Sequence, residues 1–223
     1  MKLTNQQITQ IDEILVLNGL NYEDLKLEVT DHIASEIEVL MEENTFSFED
    51  NLKTIFEKWK PELQPSFSGL IGFTNPRIMT IKCHKLIKKQ FFSVISISFL
   101  LAIVSVLFFR NSNNASLLIN IQGVLKPFIL LELCLVLIAL GFVWKSKHQT
   151  TYSYLIKKKS SGLIIFLFLL GIGGFPLLLN HPDIKIAFVS VFFPIIYILL
   201  AGIYLKLAFK HFQFEKKSSL YNS

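Results

Sequence analysis

Nineteen residues at positions 91–109, FFSVISISFLLAIVSVLFF, run without a charge, closed by Lys88 and Lys89 on one side and Arg110 on the other. As a helix rising about 1.5 Å per residue, the run covers about 28 Å, close to the ~30 Å hydrocarbon core of a bilayer. The spacing predicts a membrane-spanning helix. No apolar run of that length precedes it, and the opening MKLTNQQITQIDE lacks the apolar core of a secretory signal. The first ninety residues are therefore expected to remain on the side of synthesis.

Three further apolar stretches follow, at 127–144, 162–179 and 186–205. Charged residues are 17% of the chain, where soluble domains carry about a quarter, and mean hydropathy is +0.49. Arg77, Lys82, Lys85, Lys88 and Lys89 precede the first span. Lys145, Lys147, Lys157, Lys158 and Lys159 lie between the second and third, and Lys206, Lys210, Lys216 and Lys217 follow the fourth. These fourteen cations face three on the other side, Arg110, Lys126 and Lys185. The asymmetry places both termini in the cytoplasm of a multi-pass membrane protein. Cys83 and Cys134, one before a span and one inside one, are not expected to pair.

The net charge of +5 conceals a division: residues 1–65 hold fourteen acids against five lysines, a net −9, and the remainder is +14. The positive charge flanks spans and the soluble part is acidic, which argues against nucleic acid as a direct partner. Thr4 and Gln7 have capping-box spacing, Ile8, Ile11 and Leu15 share a helical face, and Asn18-Gly19 supplies a stop. A second helix is expected from Asn21 to about Asn44, with Leu25, Val29, Ile33, Ile37 and Leu40 inward. Ser47 and Asp50 cap a third, carrying Leu52, Ile55, Phe56 and Trp59 and ending at Lys60-Pro61. The expected fold is all-α: a three-helix cytoplasmic bundle over 1–62, a linker with a basic juxtamembrane segment over 63–90, and a four-helix transmembrane domain over 91–223.

The order of a short helix, an Asn-Gly turn, a long acidic helix containing Glu28, Asp31-His32-Ile33 and Glu36, and a Ser-capped helix over 47–59 resembles the HAAS-type helical module of bacterial membrane proteins, often associated with PadR-type regulators. The resemblance covers about a quarter of the chain. It implies a bacterial inner-membrane location and a signalling or interaction role rather than catalysis.

Glu132 is the one acid inside a span, about 9 Å from Lys126 along the helix, where an unpaired carboxylate is costly. With Ser105, the 171–174 glycine run and Ser190 at similar depth it forms a candidate polar pocket; snorkelling toward the surface is the competing reading. Glu28, His32 and Glu36 at i, i+4 and i+8 form a second candidate site, weighed against a histidine bonded to a neighbouring carboxylate. No catalytic motif, cofactor loop or metal signature is present in the sequence. The expectation is a non-enzymatic regulatory or sensory protein without cofactor or metal. Its acidic module, through Glu36, Glu38, Glu42 and Glu43, would dock a cytoplasmic protein or the chain's own lysines at 157–159 and 82–89. Besides the bilayer itself, anionic lipid is a candidate partner for the basic segment. A membrane-embedded binder or transporter using the Glu132 pocket is the alternative.

Overall fold

The computed structural model describes residues 2–68, 72–112 and 115–221. They form two compact units, one of Met1–Leu86 with Lys147–Leu155, the other of Ile87–Ser146 with Ile156–Ser223. Helix is the dominant structure in both.

In the first unit, α1 (Asn5–Leu17) begins with both bonds of the Thr4/Gln7 capping box. It ends in a Schellman motif, with Gly19 at φ +83°, Gly19 N–H donating to Val16 and Leu20 N–H to Leu15. Leu15 and Leu20 are fully buried, so the turn that stops α1 also seats its hydrophobic closure. Helix α2 (Glu23–Glu43) buries Leu25, Val29, Ile33 and Ile37 against Ile11 and Leu15. Each such aliphatic contributes about 1.5–3 kcal/mol as an upper bound. Lys26 pairs with Asp12 at 2.7 Å, and the same carboxylate accepts from Thr30 at 2.5 Å. Helix α3 (Phe48–Leu63) starts at Ser47, whose hydroxyl accepts from Asp50 N–H. Asn51 is 1% exposed and exchanges side-chain bonds with Asn44, fixing the α2–α3 turn.

Two boundaries differ from expectation. Asn21 does not cap α2; the cap position is Tyr22, without a side-chain bond, because the Glu23 N–H goes to the Gln149 carbonyl instead. Helix α3 continues past Lys60 with Pro61 inside it. Burial of Leu63 and the Gln64 N–H to Lys60 bond hold the final turn at the loss of one backbone donor.

The expected linker region contains two strands. Strands β1 (Pro65–Ser68) and β2 (Gly72–Pro76) pair antiparallel with Pro65 opposite Pro76. Helix α4 (Arg77–Ser112) follows at once, and Met79 and Cys83 in its opening turns are fully buried. The basic segment is thus the start of the same helix as the first apolar stretch, with Met79 and Cys83 buried.

The second unit contains the rest of α4, α5 (Ala115–Lys145), most of α6 (Thr151–Gly171) and α7 (Ile184–Tyr221). Ala102, Val106 and Phe109 of α4 pack with Leu179, Ala187 and Val191. Ile129, Leu133 and Val136 of α5 pack with Leu163, Leu167 and Leu170 of α6 and Ala201 of α7. Among the described residues three helices are long and apolar enough to cross a membrane, Arg77–Asn111, Ile119–Lys145 and Ile184–Ser219. Only 22–28% of their most apolar stretches is buried, which leaves apolar faces turned outward as lipid contact requires. These features mark a membrane protein. The 162–179 stretch is not one helix, because α6 stops at Gly171. A second Schellman motif ends it, with Gly173 at φ +84°, Gly173 N–H donating to Leu170 and Gly174 N–H to Leu169.

Beyond this stop, the 172–183 segment is tied to neighbouring helix ends. Arg110 donates to the Pro182 carbonyl, Gln122 to that of Leu177, and the Leu178 N–H to the Ser190 hydroxyl. The carboxyl end of α4, the first turns of α5 and the first turns of α7 therefore share one end of this unit with the α6 exit. Ser146 at the other end of α5 bonds Glu215 late in α7.

Candidate functional site

The residues expected to form a membrane pocket lie on different elements of the second unit. Glu132 lies on the buried face of α5 beside Ile129, Leu133 and Val136, 9% exposed, and its Oε2 has no hydrogen-bond partner among the described residues. Ser190 is committed to the α7 amino-terminal region, donating to the Ala187 carbonyl and accepting from Leu178. Ser105 is half-buried on α4 next to Val106. Residues 171–174 end α6, with Gly171 close against Leu130 of α5.

In the soluble set, Glu28 accepts from Lys82 at 2.6 Å, and Glu36 from Lys58 at 2.9 Å and the Trp59 indole at 3.3 Å. His32 is exposed beside Ser35, Glu36 and Lys58. With lysines on both carboxylates, no cation-binding geometry forms. Among the described residues, no three His, Cys, Asp or Glu side chains are placed to hold a metal ion.

The richest polar constellation lies elsewhere in the first unit, where the 147–155 segment meets the start of α2. Asp24, 7% exposed, accepts from the Thr151 N–H at 2.7 Å and from the Thr151 hydroxyl. Glu23 accepts from the Gln149 N–H at 3.4 Å and lies 2.7 Å from His148 Nδ1. In return, the Glu23 N–H donates to the Gln149 carbonyl at 2.8 Å. Each helix end carries backbone donors that its own turns cannot satisfy, together with the positive end of its dipole. The first turns of α2 and α6 thus satisfy one another, and the two carboxylates offset the meeting of two positive ends.

Thr150 and Ser153, both nearly inaccessible, complete the α6 cap reciprocally: Ser153 N–H donates to Thr150 Oγ1 at 3.1 Å and Thr150 N–H to Ser153 Oγ at 3.0 Å. This is a capping box with serine in place of the usual Glu or Gln. Lys82 of α4 reaches Asp24 at 3.7 Å and Glu28 at 2.6 Å. Asn75 of β2 donates to the Tyr154 hydroxyl at 2.9 Å, and Tyr22 meets Tyr154 edge-to-face at 5.3 Å. Burial, with Tyr154 and Cys83 adding to it, pushes the Tyr22 phenol up to about 12. The acids that engage Lys82 are therefore Asp24 and Glu28, at the start of α2, not the expected Glu36, Glu38, Glu42 and Glu43. The reason is geometric: Lys82 stands in the second turn of α4, directly after the hairpin, within reach of that start.

The elements meeting here are α2, β2, α4 and the α6 cap, held together by carboxylates bonded to backbone donors and a lysine. No family model, curated protein or solved structure matches the chain.

Proposed function

We propose that this is a non-enzymatic regulatory or sensory membrane protein, in which the acidic amino-terminal module reports on the membrane domain by holding or releasing the segment between α5 and α6. The observation that carries this reading is the reciprocal bonding of Glu23 and Asp24 with Gln149 and Thr151. By sequence, α4 and α6 each continue from the first unit into the second, so the module is covalently continuous with two helices of the membrane domain. Four passes with both termini cytoplasmic fit the alternation of helix ends and the cation bias. In that layout α6 and the non-helical 172–179 stretch share the third crossing. Irregular backbone is tolerated at membrane depth when protein satisfies it, as Ser190 does for Leu178. The HAAS-type resemblance, a bacterial inner-membrane location and a cytoplasmic protein partner belong to the same proposal.

A pull-down from intact membranes tests it, using the natural chain, a chain lacking 1–65 and Asp24→Ala. A cytoplasmic protein held by the first, lost from the second and altered in yield by the third is the expected result. Identical recoveries from all three remove the regulatory reading. The second reading, a membrane-embedded binder or transporter, is favoured by one observation, the orphaned Oε2 of Glu132. Loss of an uptake or binding signal in Glu132→Gln, with partner recovery unchanged, would select it.

A further inference from the structure

A cavity of about 730 Å³ opens in the second unit between α6, the 172–183 segment and α7. It falls within the ~300–1,000 Å³ of small-molecule sites. One wall is a single face of α7, with Lys185, Val189, Phe193 and Tyr197 at successive four-residue steps. Twelve residues at about 1.5 Å each make this wall about 18 Å long, so the cavity is a groove rather than a sphere. The other wall is aromatic: Phe166 stacks on Tyr197 with centroids 4.2 Å apart and on Phe175 at 6.1 Å.

The charge in the groove's lining is at one end only, at Lys185; midway, the Ser190 hydroxyl is bonded to Ala187 and Leu178, and Tyr197 closes the far end. Lys185 is exposed in the first turn of α7, where the helix dipole adds positive field; the adjacent Asp183 carboxylate is taken up by the Lys185 N–H at 2.8 Å. A second cation, Lys126, lines a smaller adjoining cavity that shares Leu170, Phe175, Pro176 and Pro194 with the groove. An elongated apolar space with its cation at one end is complementary to a molecule with one long chain and one anionic head.

We propose that this groove binds a single-chain anionic amphiphile, a fatty carboxylate drawn from the bilayer, with its chain along α7 and its head at Lys185. Two-chain lipids lying against the outer faces of the helices have no need of a groove of this form. The site stands apart from the module reading, since none of its residues belongs to the first unit.

The full chain in phosphatidylcholine nanodiscs, titrated with dansyl-undecanoic acid and with the matching dansyl alcohol, tests the assignment. Saturable binding of the acid is expected, displaced by palmitate. Lys185→Ala should weaken the acid about fivefold, the share of one lysine at a membrane surface, and leave the alcohol unchanged. Val189→Trp should fill the groove and abolish saturable binding of both, with circular dichroism confirming an unchanged helix content. Asp24→Ala should alter neither, which separates this result from any failure of the module proposal. Non-saturable partitioning, or acid and alcohol held equally by the natural chain and by Lys185→Ala, would overturn it; in a Val189→Trp protein that does not fold, the Lys185 comparison still decides.

Discussion

The carboxylate of Asp24, at the second position of α2, caps α6 by accepting from both the backbone and the hydroxyl of Thr151, 127 residues further along the chain. A cap is usually supplied by the residue just before its own helix. Here part of it comes from another helix, which makes the start of α6 dependent on the position of α2. Lys82 then sets a third helix, α4, against the same carboxylate.

Removing that carboxylate should be costly. In Asp24→Ala the buried Thr151 donors lose a charged acceptor and Lys82 keeps only Glu28, so a loss of about 2–3 kcal/mol is expected. Asp24→Asn retains one acceptor oxygen and should lose about half as much. Urea titration of the full chain, in a Trp144→Phe background that leaves Trp59 as reporter, gives both values. A loss below about 0.5 kcal/mol in Asp24→Ala would show that the interaction is decorative, as exposed pairs often are.

Thr150 and Ser153 offer an independent check on the same helix end. Thr150→Ala removes the acceptor for the Ser153 N–H in a site 0% exposed, with an expected cost of about 1–2 kcal/mol. Ser153→Ala should cost a similar amount by removing the hydroxyl that accepts from the Thr150 N–H. Because the two bonds are parts of one motif, the double variant should cost less than the sum of the singles. Strict additivity would mean that the two bonds act separately.

What the sequence discloses here depends on how far apart the partners lie. The Thr4/Gln7 box, the Ser47 cap and the Leu25, Val29, Ile33 and Ile37 face are local patterns, and each is found in the structure. The Asp24–Thr151 bond has no local signature, since neither residue's neighbours point to the other. Thr150 and Ser153 were readable in principle, as a Thr-x-x-Ser spacing ahead of an apolar helix, but serine is a weaker signal than Glu at that position. Pro65, Gly72 and Pro76 read as linker punctuation because proline weakens central strands; in a two-stranded hairpin both strands are edges, and the prolines sit at the ends of the pairing. The aromatic groove on α7 was hidden by composition, since Phe166, Phe175 and Phe193 are indistinguishable by hydropathy from lipid-facing phenylalanines.

Alkaline titration should expose the Tyr22 environment. Its phenol stays neutral in the folded chain up to about pH 12 because of burial, while an unfolded tyrosine ionises near pH 10. The unfolded state therefore releases its proton first, and stability present below pH 10 is lost as the pH rises toward 12. Tyr22→Phe should flatten this part of the stability profile. An identical slope in the variant, measured by urea titration at stepped pH, would place the alkaline loss in other groups.

The two Schellman glycines allow a test of what ends α6. Gly19 and Gly173 have nearly the same φ, +83° and +84°, so an alanine at either pays the left-handed penalty of about 1–2 kcal/mol. Their surroundings differ. A Cβ at Gly19 would meet Pro76 at an ordinary 3.9 Å, whereas one at Gly173 would come within 2.9 Å of the Lys126 ammonium. The close atom is the tip of a flexible lysine, which can move aside at little cost, so Gly173→Ala should cost about as much as Gly19→Ala, and Lys126→Ala should leave that cost unchanged. If Gly173→Ala proves less costly than Gly19→Ala, the apolar 172–179 stretch is continuing α6 as helix, and the third crossing is a regular span.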